Sequence, residues 1–372
     1  MKYFRVHGIL LSIAFSFPLL SEAKTVNLLQ QEAHLGFSPN AGALQLIVDA
    51  IQGAQKSIDM ATLLITSDSI YNALIDSHNR GVKIRIVVDS KSANTSGSDV
   101  QRLIDNNIAV KLNSEFRIMH NKYFIIDGQS VETGSFNYSE NADKRNAENA
   151  IFLYNQPNIA KLYSEIFERL FADSNKLNNV YDYNEYPNEI SNYDHFSIEN
   201  TYEYSAKSKN METKIFEIEK GKVDVAFSKA CNYINDSQSA KDLVLNVIKN
   251  SKNSIYMAAY NFSDPDIIAF LKIAQKNGVQ LNIVLDYKAN YSNSAVDNLK
   301  ELGANIYLNK KFNIMHNKYI ISDNDTVEFG SFNYTSSANE DQCNNVLVFY
   351  KQNDLTKYYM EDWNMLYQTS KK

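Results

Sequence analysis

The chain is poor in cysteine, proline and tryptophan: its 372 residues include two, five and one of them. Two cysteines exclude a disulfide framework and a cysteine-ligated zinc site. No apolar run reaches the 18 residues or so that a membrane-spanning helix needs. A formal net charge of −6 argues against broad, non-specific capture of a polyanion, although a small basic cleft can sit on an acidic body. What is present is a hydrophobic fraction of 44%, enough to exclude wholesale disorder and to build a large core.

The first 23 residues read as an export signal. Lys2 and Arg5 precede an apolar run from Gly8 to Leu20, and Ser21-Glu22-Ala23 supplies a small-x-small cleavage site. Cleavage after Ala23 predicts a secreted or periplasmic protein. In an oxidising compartment Cys231 and Cys343 can pair, provided the fold brings them together.

The chain repeats itself. Phe116–Tyr123 (FRIMHNKY) recurs as Phe312–Tyr319 (FNIMHNKY), and Gly134–Tyr138 recurs as Gly330–Tyr334, both at an offset of 196. Gly81–Asp89 matches Gly278–Asp286 and Ser57–Ala61 matches Ser254–Ala258, both at an offset of 197. Four blocks in the same order define a duplicated domain. Within the first copy, helical periodicity over 43–54, 68–79 and 159–171 alternates with strand-like runs at 58–65, 82–88 and 150–153. That alternation predicts an α/β fold, a mixed sheet flanked by helices in each half. The expected division is 24–173 for the first domain, 174–222 for a polar, tyrosine-rich linker or insertion, and 223–372 for the second domain.

The repeated block carries the candidate chemistry. His120, Lys122, Asp127, Gly134, Ser135 and Asn137 recur as His316, Lys318, Asp323, Gly330, Ser331 and Asn333 with identical internal spacing. Residues two apart on a strand share a face, so each imidazole projects beside an ammonium, with Phe124 and Ile126 continuing the first of those faces. A glycine turn then presents hydroxyl and amide groups, a set suited to a cluster of anionic oxygens. Duplication by itself would preserve the core, yet here the polar residues also persist, and buried polar groups are costly. The other four histidines form no comparable cluster.

These motifs resemble the HxKx4Dx6GSxN signature of the phospholipase D superfamily, and the resemblance covers nearly the whole chain after residue 23. The first copy is most similar to the small secreted bacterial endonuclease of that superfamily, a one-motif protein that dimerises; Val131–Asn137 and Asn146–Asn149 carry that likeness. The resemblance implies two phospholipase D-like domains packed with pseudo-twofold symmetry, both half-sites in one chain, and hence a monomer. It also implies a metal-independent phosphodiesterase with no cofactor. His120 would be the nucleophile and His316 the acid and base, Lys122, Lys318, Asn137 and Asn333 would hold the non-bridging oxygens, and Ser135 and Ser331 would orient them. Asp127 and Asp323 would be structural. A carboxylate after the GSxN turn supports the motif histidine in that family. Glu148 fits eleven residues beyond Asn137, which makes His120 the better-supported ring, whereas the second half has Asn344 there, with Glu340 and Asp341 as the candidate substitutes.

The motif reads a phosphodiester and not what hangs from it. A phospholipid substrate, releasing the head group and leaving phosphatidate after transient contact with a membrane surface, is slightly favoured by the acidic chain and its many tyrosines. Nuclease action on DNA or RNA is the alternative, favoured by the likeness to the endonuclease and by Lys144 and Arg145, but no basic stripe accompanies them. The third reading is a non-catalytic phosphate-binding module.

Overall fold

The computed structural model describes residues 24–176, 212–232 and 238–371. The expected export signal lies outside them, as does most of the 174–222 segment.

Each half is built on one mixed sheet. The first runs, edge to edge, through Asn175–Lys176, Ala109–Asn113, Lys83–Asp89, Ser57–Thr62, Lys122–Ile126, Ser130–Gly134, Asn149–Leu153, Gln31–Phe37 and Lys214–Ile218. The second runs through Lys24–Leu28, Gly221–Phe227, Asn345–Tyr350, Thr326–Gly330, Lys318–Ser322, Ser254–Ala259, Gln280–Asp286 and Asn305–Asn309. The central strands are apolar on both faces because both faces are covered. Along Lys83–Asp89, Ile84, Ile86 and Val88 face the outer helices while Val87 faces the other half. Phe124 and Ile126 share the outer face, as their spacing predicts.

The outer helices bury the expected stripes. Helix Ala43–Gly53 buries Ala43, Leu46, Ile47, Ala50 and Ile51, the spacing of one helical face. In the second half, the Asp264 carboxylate caps helix Pro265–Lys276 by accepting from the Asp266 and Ile267 amides. Helices Pro157–Asp173 and Asn353–Ser370 lie between the sheets, in one core to which both halves contribute. There Tyr163 packs edge-on against Tyr123 at 4.8 Å and against Phe227 of the other half at 5.3 Å.

The halves exchange strands. Lys24–Leu28 precedes the first sheet in sequence yet pairs antiparallel with Gly221–Phe227 in the second. Lys214–Ile218, which falls inside the expected linker, pairs antiparallel with Gln31–Phe37 in the first. Each pairing satisfies a strand edge that would otherwise be open, and ties the two sheets together through backbone hydrogen bonds. Cys231 and Cys343 form a disulfide, with Cα atoms 5.2 Å apart.

Candidate functional site

The site forms where the two motif segments cross between halves. Ile118–Met119 pairs with Gln342–Cys343, and the His120 amide donates to the Cys343 carbonyl at 2.9 Å. Reciprocally, Ala147 bridges Met315, and the His316 amide donates to the Ala147 carbonyl at 2.9 Å. Two strand-end carboxylates fix the approach: Asp89 accepts from the Met119 amide and Asp286 from the Met315 amide, each at 2.9 Å. Both aspartates belong to the repeated blocks. Their duplication was the available signal for this positioning role, which sequence reasoning did not assign.

The imidazoles of His120 and His316 meet edge to face with ring centroids 6.4 Å apart, and both are buried. His120 Nδ1 lies 2.8 Å from Asn344 Oδ1, and His316 Nδ1 lies 2.7 Å from Glu148 Oε2. Both contacts cross between halves. The expected pairing of Glu148 with His120 is therefore overturned: the turn after GSxN in one half reaches the histidine of the other, and His316 is the carboxylate-backed ring. Neither proposed substitute enters the site, because Glu340 pairs with Lys229 at 2.8 Å and Asp341 with Arg117 at 3.1 Å.

The amide at 344 has a defined orientation. Its Nδ2 donates to the Ala338 carbonyl at 2.9 Å, which turns Oδ1, an acceptor only, toward His120. His120 Nδ1 therefore carries the proton, and Nε2 presents a lone pair. The serine hydroxyls also differ from expectation. Ser135 donates to Glu148 Oε2 at 2.8 Å and Ser331 to Asn345 Oδ1 at 3.0 Å, so they brace the histidine-supporting segments instead of facing a substrate. Gly134 and Gly330 are fixed by crowding. A Cβ at either would sit 2.2 or 2.1 Å from the carbonyl oxygen of Asn149 or Asn345.

Lys122 and Lys318 are buried, and each Nζ donates to the carbonyl of its own motif histidine, at 2.7 and 2.6 Å. Burial pushes the Lys318 ammonium down to about 7 and holds Lys122 well below its ordinary range, where Lys318 lowers it further. Burial and then the two ammonium groups keep both histidines well below 6.5, hence neutral. Burial raises Glu148 to about 7, against the pull of Lys318. A cluster so short of solvation and so rich in donors favours an anion. The side-chain Oδ1 atoms of Asn137 and Asn333 are buried without a hydrogen-bond partner among the described residues.

Asp127 and Asp323 stand apart from this cluster. Asp127 gathers the amides of Gln55, Lys56 and Ser57, and Asp323 those of Lys252, Asn253 and Ser254. Each lies at the far end of its motif strand, locking the sheet. Sequence reasoning missed Tyr260, whose ring lies 5.0 Å from that of His316 and has Lys318 Nζ 5.5 Å from its centroid. Leu63 stands at the matching place in the first half, so the repeat gave no signal for it.

This chain belongs to the phospholipase D-like family: residues 47–171 and 244–367 match the family described as cardiolipin synthase, PLD-like domain. A phospholipase D from Rickettsia felis is 37% identical over 142 residues, 38% of this chain and 71% of that protein. A mitochondrial cardiolipin hydrolase from Chlamydomonas reinhardtii is 32% identical over 138 residues, 37% of this chain and 61% of that protein. The phosphatidylserine synthase of Haemophilus influenzae shares the fold, with a TM-score of 0.60 and 13% identity over 89% of this chain and 85% of its own. The Nuc protein of Salmonella typhimurium is 31% identical, with 40% of this chain and 99% of its own covered and a TM-score of 0.39.

Proposed function

We propose that this chain is an exported, metal-independent phosphodiester hydrolase that works through a phosphohistidine on His120. The observation that carries the reading is the facing pair of imidazoles, 6.4 Å between centroids, one held by an amide and the other by a carboxylate. His120 has a fixed Nδ1–H and a free Nε2 lone pair, the form a nucleophile requires. His316 has a carboxylate behind it, which stabilises the imidazolium an acid must be.

In the first step His120 Nε2 attacks phosphorus, the bond to the leaving oxygen breaks, and His316 Nε2–H gives that oxygen its proton. In the second, His316 takes a proton from water, the hydroxide attacks phosphorus, and the P–N bond breaks to free His120. Lys122, Lys318, Asn137 and Asn333 hold the non-bridging oxygens, whose charge grows in the transition state. The incoming anion keeps the lysines charged and favours protonation of His316.

The substrate is a phospholipid, and the products are a free head group and phosphatidate. Relatives named phospholipase D and cardiolipin hydrolase support this, as does Tyr260, whose ring packs on that of His316. Cleavage of nucleic acid is a second reading, favoured by exposed Arg145 beside the first-half turn. Purified protein lacking residues 1–23 is incubated, with excess chelator, with bis(p-nitrophenyl) phosphate, phospholipid micelles and plasmid DNA. Nitrophenol and phosphatidate should appear. Plasmid nicking without phosphatidate would move the substrate to nucleic acid, and no turnover of any of the three by folded protein would overturn the reading.

A further inference from the structure

Asp362 is a buried carboxyl group that the reaction above does not use. Helix Asn353–Ser370 carries it into the core between the sheets, and the matching position on helix Pro157–Asp173 is Ile166. A carboxyl group buried where the repeat has an aliphatic side chain is costly unless its neighbours need it. Its Oδ2 accepts from the Tyr319 hydroxyl at 2.8 Å and from Asn317 Nδ2 at 3.4 Å. Asn317 stands between His316 and Lys318.

From Asn317 a chain of hydrogen bonds runs back to the His316 ring. Asn317 Oδ1 accepts from Asn149 Nδ2 at 2.7 Å. Asn149 also donates to Ser135 Oγ, from Nδ2 at 3.3 Å and from its backbone amide at 3.0 Å. With its oxygen filled as an acceptor, Ser135 gives its one proton to Glu148 Oε2, the oxygen that lies 2.7 Å from His316 Nδ1. All six side chains of this chain are buried.

The orientation of the chain is set at the Asp362 end. A carboxyl oxygen there takes the NH2 group of Asn317, which turns Oδ1 toward Asn149 and so draws the NH2 group of Asn149 toward Asn317 and Ser135. On the His120 side the matching amide is reversed. Asn345, the counterpart of Asn149, gives Nδ2 to Thr133 Oγ1 at 2.8 Å and to the Tyr163 hydroxyl at 2.9 Å. Its Oδ1 therefore faces Ser331 and takes that hydroxyl's proton at 3.0 Å, leaving Asn344 Oδ1 at 3.4 Å. Asn121, the counterpart of Asn317, donates to Cys343 Sγ at 2.9 Å instead of to a carboxyl group.

We infer that Asp362 is a positioning residue for the acid–base histidine: by orienting Asn317 and Asn149 it makes Ser135 a donor to Glu148, and so holds that carboxylate against His316. The inference rests on the reading of His316 as acid and base. Asp362 touches neither ring, and its effect is confined to the steps in which His316 moves a proton. Burial raises Asp362 to about 7, and the carboxyl group accepts from Asn317 in either protonation state, so an uncharged acceptor should serve in its place.

The test separates the two chemical steps. Nitrophenolate leaves without a proton, so bis(p-nitrophenyl) phosphate calls on His316 chiefly in the second step, where it takes a proton from water. Rapid quench reads the first release of nitrophenol and the loss of the His120 adduct separately. Asp362→Ile, which installs the first half's residue, should leave the first step close to the parent's and slow loss of the adduct about tenfold, as removal of a supporting partner does. Asp362→Asn keeps an acceptor for Asn317 and should recover most of that rate. Tyr319→Phe removes the other partner of Asp362 and should keep the parent's ratio of the two steps, which separates an effect through Asn317 from lost core packing. Asn317→Ala cuts the same chain one link nearer His316 and should reproduce the slow second step, whether or not Asp362→Ile folds. If the parent releases no nitrophenol and forms no adduct, the proposed function falls and this inference with it. If the parent is active but Asp362→Ile and Asn317→Ala slow both steps alike or neither, or Asp362→Asn is as slow as Asp362→Ile, the positioning role is overturned while the function stands.

Discussion

Glu148 of the first half supports His316 of the second, 168 residues away, through a 2.7 Å contact between Oε2 and Nδ1. The symmetry-related contact joins His120 to Asn344, so a carboxylate serves one ring and a neutral amide the other. The two histidines are thereby made chemically unequal, and each is held by the half that does not contain it.

Glu148→Gln keeps an acceptor for Nδ1 but removes the charge that stabilises the His316 imidazolium. It should lower kcat by roughly 10- to 100-fold, the usual cost of losing such a partner. Asn344→Ala should cost less. Asn344→Asp should favour protonated His120, which cannot attack, and so move the acid limb of the kcat/KM profile to higher pH. Steady-state profiles of the three variants check these outcomes; an unmoved acid limb in Asn344→Asp would remove the assigned role of the amide.

The parent kcat/KM profile should already be falling as pH rises through 7. The free enzyme loses first the proton of His316, held well below 6.5 by burial and the two lysines, and then the charge of Lys318. Lys318 sits at about 7 because burial disfavours its charge, so the free enzyme loses a phosphate-holding cation as pH rises through that value. The acid limb should lie below 6.5, since burial and the two lysines keep His120 neutral. Bound substrate restores the lysine's charge, and the alkaline limb of kcat should therefore lie above that of kcat/KM.

Stability should fall as pH rises between 4.5 and about 8. Glu132 and Glu328 are buried against the hydroxyls of Tyr138 and Tyr334, and burial raises both from 4.5 to about 8. In that window the folded chain binds more protons than the unfolded chain, so the slope of unfolding free energy with pH is negative. The melting temperature should be several degrees lower at pH 9 than at pH 5, and Glu132→Gln with Glu328→Gln should flatten the difference.

Gly134→Ala and Gly330→Ala should each cost about 3 kcal/mol or more, because the added methyl meets a backbone carbonyl at 2.2 or 2.1 Å that cannot withdraw without breaking a strand pair. Denaturant melts measure this. Gly81→Ala, at an open turn with a φ of 94°, should cost less.

The fold and the residues of the candidate site were legible because the chain contains two copies of them. Apolar periodicity located helices 43–53 and 68–79, and the doubled HxK and GSxN blocks located every residue of the central cluster except Tyr260 and the supporting pair in its true arrangement. The crossed support was not legible. Glu148 stands near His120 in sequence, and only the packing of the two halves brings it to His316. Strand exchange was hidden for the same reason: Lys24–Leu28 has no feature that distinguishes pairing in its own half from pairing in the other. Ser135 and Ser331 were assigned to substrate by motif, whereas their hydroxyls satisfy buried groups that the local sequence does not reveal.

The central claim is the division of labour between the rings, and covalent trapping tests it most directly. Protein incubated with bis(p-nitrophenyl) phosphate is quenched under alkaline conditions, which preserve phosphohistidine, and mapped by mass spectrometry. His316→Ala, unable to activate water, should accumulate a phosphoryl adduct on His120, and His120→Ala should carry none. An adduct on His316 in the parent or in His120→Ala would contradict the account.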